Sequence, residues 1–411
     1  MDLTISEDQL MFKKMFADFC TKEIRPKGEH IDQAEEPPVE LLQKAVDQGF
    51  WAALVPEEAD GAGMDVYTYM LMLEELARAD MSTALTLSVH NSLVVKPLLD
   101  HGTDEQKEAY LPGLACGEML GAFALSEAGA GSDAAALRST ASAVKTTAKQ
   151  RSSGTPQDDG DYLLNGTKAW VCNGSLAGLT LIFARAAGGI TAFLVEKETP
   201  GLKIGYREKT LGLRGVACNT LYLDNVRVPS CNRLGDEGQG LKIALEALDL
   251  SRLGMGAMAL GGMERALEEA VKFSLEHIQF GVPIAQKQTI QNYIANAKAE
   301  IEALRSLVTY TAWLADTGHR RNGLPSAQAL GTPQDLSTQA SIVKLFGGRA
   351  AYEVTHKMLQ VHGGYGYMKE YAIERYYRDC RALEIIEGTS QIQQFLIARD
   401  IYKAEGLEIR P

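Results

Sequence analysis

Over residues 1–120 apolar side chains recur every three or four positions, the period of amphipathic helices. Leu3, Leu10, Phe12, Phe16 and Phe19 form the first stripe; LLQKAVDQGFWAAL (41–54) and YTYMLMLEELARAD (67–80) carry two more. The Gly-rich run EEADGAGMD (57–65) separates those two. HGTDEQKEAYLPGLACGE (101–118) predicts a further helix, capped by Thr103 or Asp104, with Pro112 near its end. From 121 to 234 the period drops to two. GAFALSE, YLLNGTKAWVCN, LTLIFARA, ITAFLVEK and TLYLDNVRV are short alternating or β-branched segments with turns between them. No helical crossover interrupts them, which predicts an antiparallel sheet or barrel. Over 235–411 the helical period returns, beginning with a long pattern across 239–277. Gly254, Gly256, Gly261 and Gly262 lie inside it; each costs a helix ~1 kcal/mol, so the cluster predicts close backbone packing on another element. Two polar, patternless stretches, 145–161 and 319–337, read as surface loops. The expected architecture is α+β in three domains: 1–120 helical, 121–234 β, and 235–411 a four-helix-type bundle.

Composition narrows the class rather than the function. A chain of 411 residues with 45% hydrophobic and 23% charged side chains has average globular usage, which excludes a disordered or fibrous protein. With 53 acidic against 41 basic residues the net charge is −12, which argues against a nucleic-acid binder but leaves room for a local basic pocket. No run approaches the ~18 apolar residues of a membrane span. The first residues enter an amphipathic pattern directly, without the apolar centre of a signal peptide. The six cysteines (Cys20, Cys116, Cys172, Cys218, Cys231, Cys380) are scattered with no C-x-x-C pair, so thiols in a reducing compartment are expected, and no metal site.

Three segments carry candidate chemistry. Phe123 to Asp133, FALSEAGAGSD, leaves a strand and enters a Gly-rich turn that satisfies G-x-G-x-x-A from Gly129 to Ala134. The following ALRSTASAVK returns to short alternation, against a Rossmann crossover; the turn still lets backbone N–H groups, Ser126 and Ser132 approach a phosphate or a flavin edge. Asp249 and Arg252 share one face of the long helix, where a surface ion pair is the plainest reading. Finally, Ser390 and Gln393 fit a capping box, so a helix should begin at Ser390. Glu387 precedes it, either a base in a dry pocket or an acid favoured by the helix dipole.

Together and in order, these pieces resemble the acyl-CoA dehydrogenase family along nearly the whole chain. FALSEAGAGSD (123–133) and LNGTKAWVCNG (164–174) are similar to its flavin segments. QFGVPIAQKQTIQ (279–291), QVHGGYGYMKEY (360–371) and YRDCRALEIIEGTSQIQQFLIAR (377–399) match its remaining signatures. The resemblance implies FAD and an acyl-CoA held between the domains, in a homotetramer built as a dimer of dimers, cytoplasmic and bacterial. FAD contacts are implied for Phe123, Leu125, Ser126, Gly131, Ser132, Trp170 and Cys172. Further ones are implied for His277, Phe280, Gln288, Gln360, Gly363, Gly364, Thr389 and Gln391, some of them reaching a neighbouring subunit. Ser132, Asp249, Arg252 and Gly388 match positions that meet the CoA thioester, and Glu387 matches the catalytic base.

The chain departs from the family pattern at informative places. Cys172 stands where a Thr commonly faces the flavin, and His277 where an Arg is usual, which should loosen FAD. Ile386 replaces a common Tyr beside the base. Ser251 occupies the position where isovaleryl- and long-chain-type members carry their base, which favours Glu387 instead. Ala84 matches an Arg that holds a distal carboxylate, so a dicarboxylyl substrate is disfavoured. His90 and Ser92 are candidates to line the acyl pocket, although a packing histidine is the simpler reading. The implied reaction is removal of an α-proton by Glu387 with β-hydride passing to FAD N5, giving a trans-2-enoyl-CoA. An electron-transferring flavoprotein is the implied acceptor. An acyl-CoA oxidase, a desulfinase-like reaction and a non-catalytic acyl-CoA-binding protein are the rival readings.

Overall fold

A computed structural model describes residues 5–144, 160–317 and 336–409, so most of both polar stretches (145–161 and 319–337) lies outside the described residues. The first helices are α1 (Glu7–Phe19), α2 (Gly28–Ala34), α3 (Val39–Val46), α4 (Val66–Ala79), α5 (Met81–His90), α6 (Lys96–His101) and α7 (Asp104–Ala115). Local chemistry fixes their starts. Ser6 and Gln9 close a capping box on α1, and Thr103 and Gln106 another on α7. Helices α5 and α6 are joined by a π-helical turn, Asn91–Val95, rather than by a loop.

The strands follow: β1 (Gly121–Ala124), β2 (Thr140–Val144), β3 (Asp161–Val171), β4 (Leu179–Ala186), β5 (Gly189–Glu196), β6 (Leu202–Arg207), β7 (Asn219–Val228) and β8 (Arg233–Leu234). They form one sheet in the order β6-β7-β3-β2-β4-β5-β8, with β1 also on β4. The expectation of an antiparallel sheet needs correction here. β1 runs parallel to β4, Gly121 opposite Leu179 through Ala124 opposite Ile182, and β2 touches the same edge in parallel at Thr140–Arg185. Parallel neighbours need a long connection, and the chain from 125 to 178 provides it without a crossover helix. Both faces of β4 are covered. Leu181 and Phe183 pack with Val94, Leu98 and Leu114 of the helices, while Ile182 and Ala184 pack with Leu164, Phe193 and Val226.

After the sheet come α8 (Gly240–Glu276), the hairpin β9 (Ile278–Gln279) and β10 (Val282–Pro283), α9 (Gln288–Asp316), α10 (Leu336–His362), α11 (Ala372–Ala382) and α12 (Ser390–Ala404). Helix α8 is central, packed against α4, α9 and α10. Its glycines do what the sequence predicts: a Cβ on Gly261 would stand 2.1 Å from the Glu74 carbonyl of α4, and one on Gly256 2.2 Å from Val343 of α10. Of the described helices, none is long and apolar enough to cross a membrane.

Candidate active site

Two backbone irregularities build the site. Between β3 and β7 the register passes from Lys168–Leu221 to Val171–Asn219, so that Ala169 and Trp170 stand opposite Thr220 alone, which is a β-bulge. Trp170 sits in it at φ 55° with 54% of its surface exposed. A tryptophan in the left-handed region costs of order 1–3 kcal/mol, and the bulge turns its ring off the sheet into the open. The next residues are anchored from below. Asn173, at φ 65°, donates from Nδ2 to the carbonyls of Thr86 and Gly121 at 3.0 Å each.

The Gly-rich turn is held to the same strand by a buried ion pair. Lys168 Nζ lies 2.8 Å from Glu127 Oε1 and 3.1 Å from the Leu125 carbonyl. Glu127 also accepts the N–H groups of Arg138 (2.8 Å) and Ser139 (2.9 Å), and Ala169 N–H reaches the Ser126 carbonyl at 2.9 Å. Burial pushes the Glu127 carboxyl up, but bonds from Lys168, Ser139 and Arg138 outweigh it and hold it down at about 2. Thus Phe123, Leu125, Ser126 and Trp170 are brought together. Gly131 and Ser132 project on the exposed side of the turn, where, apart from the chain neighbours, no atom of the described residues lies within 4 Å of a Cβ built on Gly129 or Gly131.

The second irregularity is the turn between α11 and α12, where Glu387 (φ 56°) and Gly388 (φ 91°) are both left-handed. Arg252 of α8, itself buried, donates from Nη1 to Asp249 at 2.9 Å and from Nε to the Glu387 carbonyl at 3.4 Å. Ser337 adds a bond to Asp249 at 2.9 Å, so Asp249 and Arg252 form an internal pair rather than a surface one. Glu387 Oε2 is fully buried and, among the described residues, finds no hydrogen-bond partner. Burial raises the Glu387 carboxyl above its usual value, against the charges of Arg252 and Lys344 and the nearby Ser251 hydroxyl. Its charge reaches Tyr69 of α4 and Cys172 beyond β3, so helices and sheet converge on this carboxylate. The Cys172 thiol is pushed up by its contact with the Cys218 thiol and by burial, and stays protonated at neutral pH.

Several sequence expectations change. The cap of α12 is Thr389, whose Oγ1 accepts Ile392 N–H at 3.4 Å; Ser390 is already helical, and Gln393 turns back to the 387–388 carbonyls instead of closing a capping box. Gln391 is exposed beside it. His90 is a packing residue. Its Nδ1 accepts Gly121 N–H at 2.9 Å, its Nε2 lies 3.1 Å from the Trp51 carbonyl, and burial lowers it to about 4. Ser92 is occupied by Tyr69, 2.9 Å from its hydroxyl.

His277, Phe280, Gln288, Gln360, Gly363 and Gly364 are not brought to this cleft. They gather at the far end of α8, where His277 and His362 stack on Phe273 at 4.8 and 4.6 Å and Phe280 stands 92% exposed. His277 is 25 residues along from Arg252, about 37 Å at the helical rise. Among the described residues, and apart from the chain neighbours, no atom lies within 4 Å of a Cβ on Gly363 or Gly364. Sequence reasoning missed Lys168, Lys344 and Cys218, and gave Gln393 to a capping box. For Lys344 a signal existed, a lysine inside the apolar stripe ASIVKLFGG (340–348).

Comparison with known proteins accounts for this arrangement. Three family models match in succession: "Acyl-CoA dehydrogenase, N-terminal domain" over 6–118, the middle domain over 122–226 and the C-terminal domain over 238–402. An acyl-CoA dehydrogenase of Bacillus subtilis is 40% identical over 400 residues, covering 96% of this chain and 98% of its own. The structure of butyryl-CoA dehydrogenase from Megasphaera elsdenii superposes with a TM-score of 0.88 at 35% identity, covering 98% of this chain and all of that one. A chain solved in work on the electron transferring flavoprotein of Acidaminococcus fermentans also gives 0.88, at 37% identity, covering 98% and 99%.

Proposed function

Because this chain belongs to the acyl-CoA dehydrogenase family of FAD-dependent oxidoreductases, we propose that it desaturates an acyl-CoA between Cα and Cβ, with Glu387 as the base. The observation that carries this reading is the buried, unpartnered Glu387 Oε2 beside a buried Arg252. The chain's own surfaces fit the cofactor. A bare Trp170 ring and an open glycine turn suit an isoalloxazine and a phosphate, and when bound FAD supplies the two-electron acceptor for the β-hydride.

The protein's part is to acidify and orient the α C–H. Among the described residues no acceptor takes the Glu387 N–H, which leaves it free to donate to the thioester oxygen as negative charge develops there. Burial raises the Glu387 carboxyl above its usual value, in the direction a general base needs, while the charges of Arg252 and Lys344 oppose that rise. Ser132 and the Asp249–Arg252 pair would meet the CoA side. The residues at the far end of α8 are too distant to share this cofactor and would serve that of a neighbouring subunit, in a dimer or a tetramer. An electron-transferring flavoprotein is the proposed acceptor of the electrons. Butyryl-CoA dehydrogenase as a relative makes a short saturated acyl chain the first substrate to try.

Anaerobic titration of the yellow holoenzyme with straight, branched, cyclic and aromatic-substituted acyl-CoAs tests the reading. At least one short saturated thioester should bleach the flavin; bleaching by none refutes it. Rapid reoxidation by oxygen with peroxide release would favour an acyl-CoA oxidase.

A further inference from the structure

The Glu387–Gly388 turn is held from three helices at once. Lys344 of α10 donates from Nζ to the Gly388 carbonyl. Gln393 of α12 donates from Nε2 to the same carbonyl at 3.0 Å and to that of Glu387 at 3.3 Å. Arg252 of α8 reaches the Glu387 carbonyl from the third side. A glutamate at φ 56° is disfavoured on its own, so the turn keeps its shape only while those carbonyls are gripped. Each peptide is planar, so gripping those carbonyls fixes the two peptide planes that follow Cα387, from which the carboxylate side chain projects.

Lys344 is the costly member of this grip. It is 1% exposed, and burial pushes its ammonium down to about 8, so holding a cation there is unfavourable in itself. Its surroundings are charged from every side. Glu387 and Glu384 favour its ammonium, Arg252 opposes it, and Arg252 in turn is paired with Asp249 and faces Arg399. Tyr69 from α4 and Cys172 from the sheet complete the titratable groups around Glu387.

We infer that Lys344 is a positioning residue of the reaction, fastening the Gly388 carbonyl with Gln393 so that the Glu387 carboxylate stays aimed at the acyl thioester, and setting its positive charge beside that carboxylate. The inference rests on the reading of Glu387 as the base. A purely structural lysine would contribute to folding and leave the titration of Glu387 unmoved.

The test uses holoenzyme variants Lys344→Met and Gln393→Met. Anaerobic flavin reduction by the best acyl-CoA of the panel should slow at least tenfold at pH 7 in both. In Lys344→Met the acid limb of the pH profile should move up by about one unit, since a positive charge beside the base is gone; in Gln393→Met it should stay in place. A second readout needs no turnover: the Glu387 carboxyl band, isolated by infrared difference against Glu387→Gln, should titrate about one unit higher in Lys344→Met. An unmoved band, or a rate within twofold of wild type, overturns the role of Lys344. Should Lys344→Met not fold, an unslowed Gln393→Met overturns the grip. Failure of every acyl-CoA to bleach wild type refutes the dehydrogenase reading instead, while the infrared shift still decides whether Lys344 acts on Glu387.

Discussion

Replacing Glu127 by Gln should unfasten the flavin-side turn. The carboxylate takes three donors: Lys168 Nζ and Ser139 N–H on Oε1, Arg138 N–H on Oε2. A glutamine offers one oxygen and turns its NH₂ on whichever donors remain, so at least one is orphaned, at about 1–3 kcal/mol. Lys168 also loses its counter-charge while fully buried, and breaking such a pair costs about 3–5 kcal/mol in all. The two partners differ in what the pairing gives them. Glu127 falls from 4.5 to about 2, worth roughly 3 kcal/mol, whereas burial lowers Lys168 despite the attraction of Glu127. The net value of the pair is therefore below that ceiling, and the larger loss comes from stranding the ammonium. Because the folded carboxyl is the more acidic, its contribution is complete above pH 4.5 and disappears as pH falls through about 2. Urea midpoints at pH 7, followed by tryptophan and flavin fluorescence, should give a loss of about 3 kcal/mol or more for Glu127→Gln. Glu127→Leu with Lys168→Met should lose less than either single change. A Glu127→Gln loss under about 0.5 kcal/mol, where an ordinary surface substitution falls, would refute the reasoning.

Two further substitutions probe the other ends of the site. Gly388→Ala places a Cβ 2.7 Å from Gln393 Nε2 at φ 91°, so flavin reduction should slow at least tenfold while FAD content stays unchanged. His277→Arg tests the proposal that the far cluster serves a neighbouring subunit's nucleotide, by putting a fixed charge there. FAD release on dilution should slow several-fold, as about 1 kcal/mol from a charge-assisted contact requires; release unchanged within error would remove His277 from the nucleotide site.

Much of the fold was legible because it follows from period and caps. Thr103 starts α7 as its side chain dictates, and the glycines of α8 foretold the close approach of α4. What was not legible depends on partners distant in sequence. Nothing local says that β1 will lie parallel on β4, 55 residues on, or that Lys168 will meet Glu127 across the sheet. Thr389 and Ser390 are both good caps, and the choice was made by Gln393, which serves the 387–388 carbonyls rather than the helix start. Glu387 was legible as a candidate, but its burial and its left-handed backbone come from Arg252 and Lys344, 135 and 43 residues away. Sequence order likewise could not say that His277 ends up about 37 Å along α8 from Arg252.

The most direct test of the account is the rate of anaerobic flavin reduction in Glu387→Gln, measured with acyl-CoA affinity on the same preparation. General base catalysis is worth about 10²–10⁴ in rate, so reduction should slow at least a hundredfold while the acyl-CoA dissociation constant changes by less than about threefold. Bleaching at the wild-type rate in that variant would contradict the central claim and send the search for the base elsewhere in the cleft.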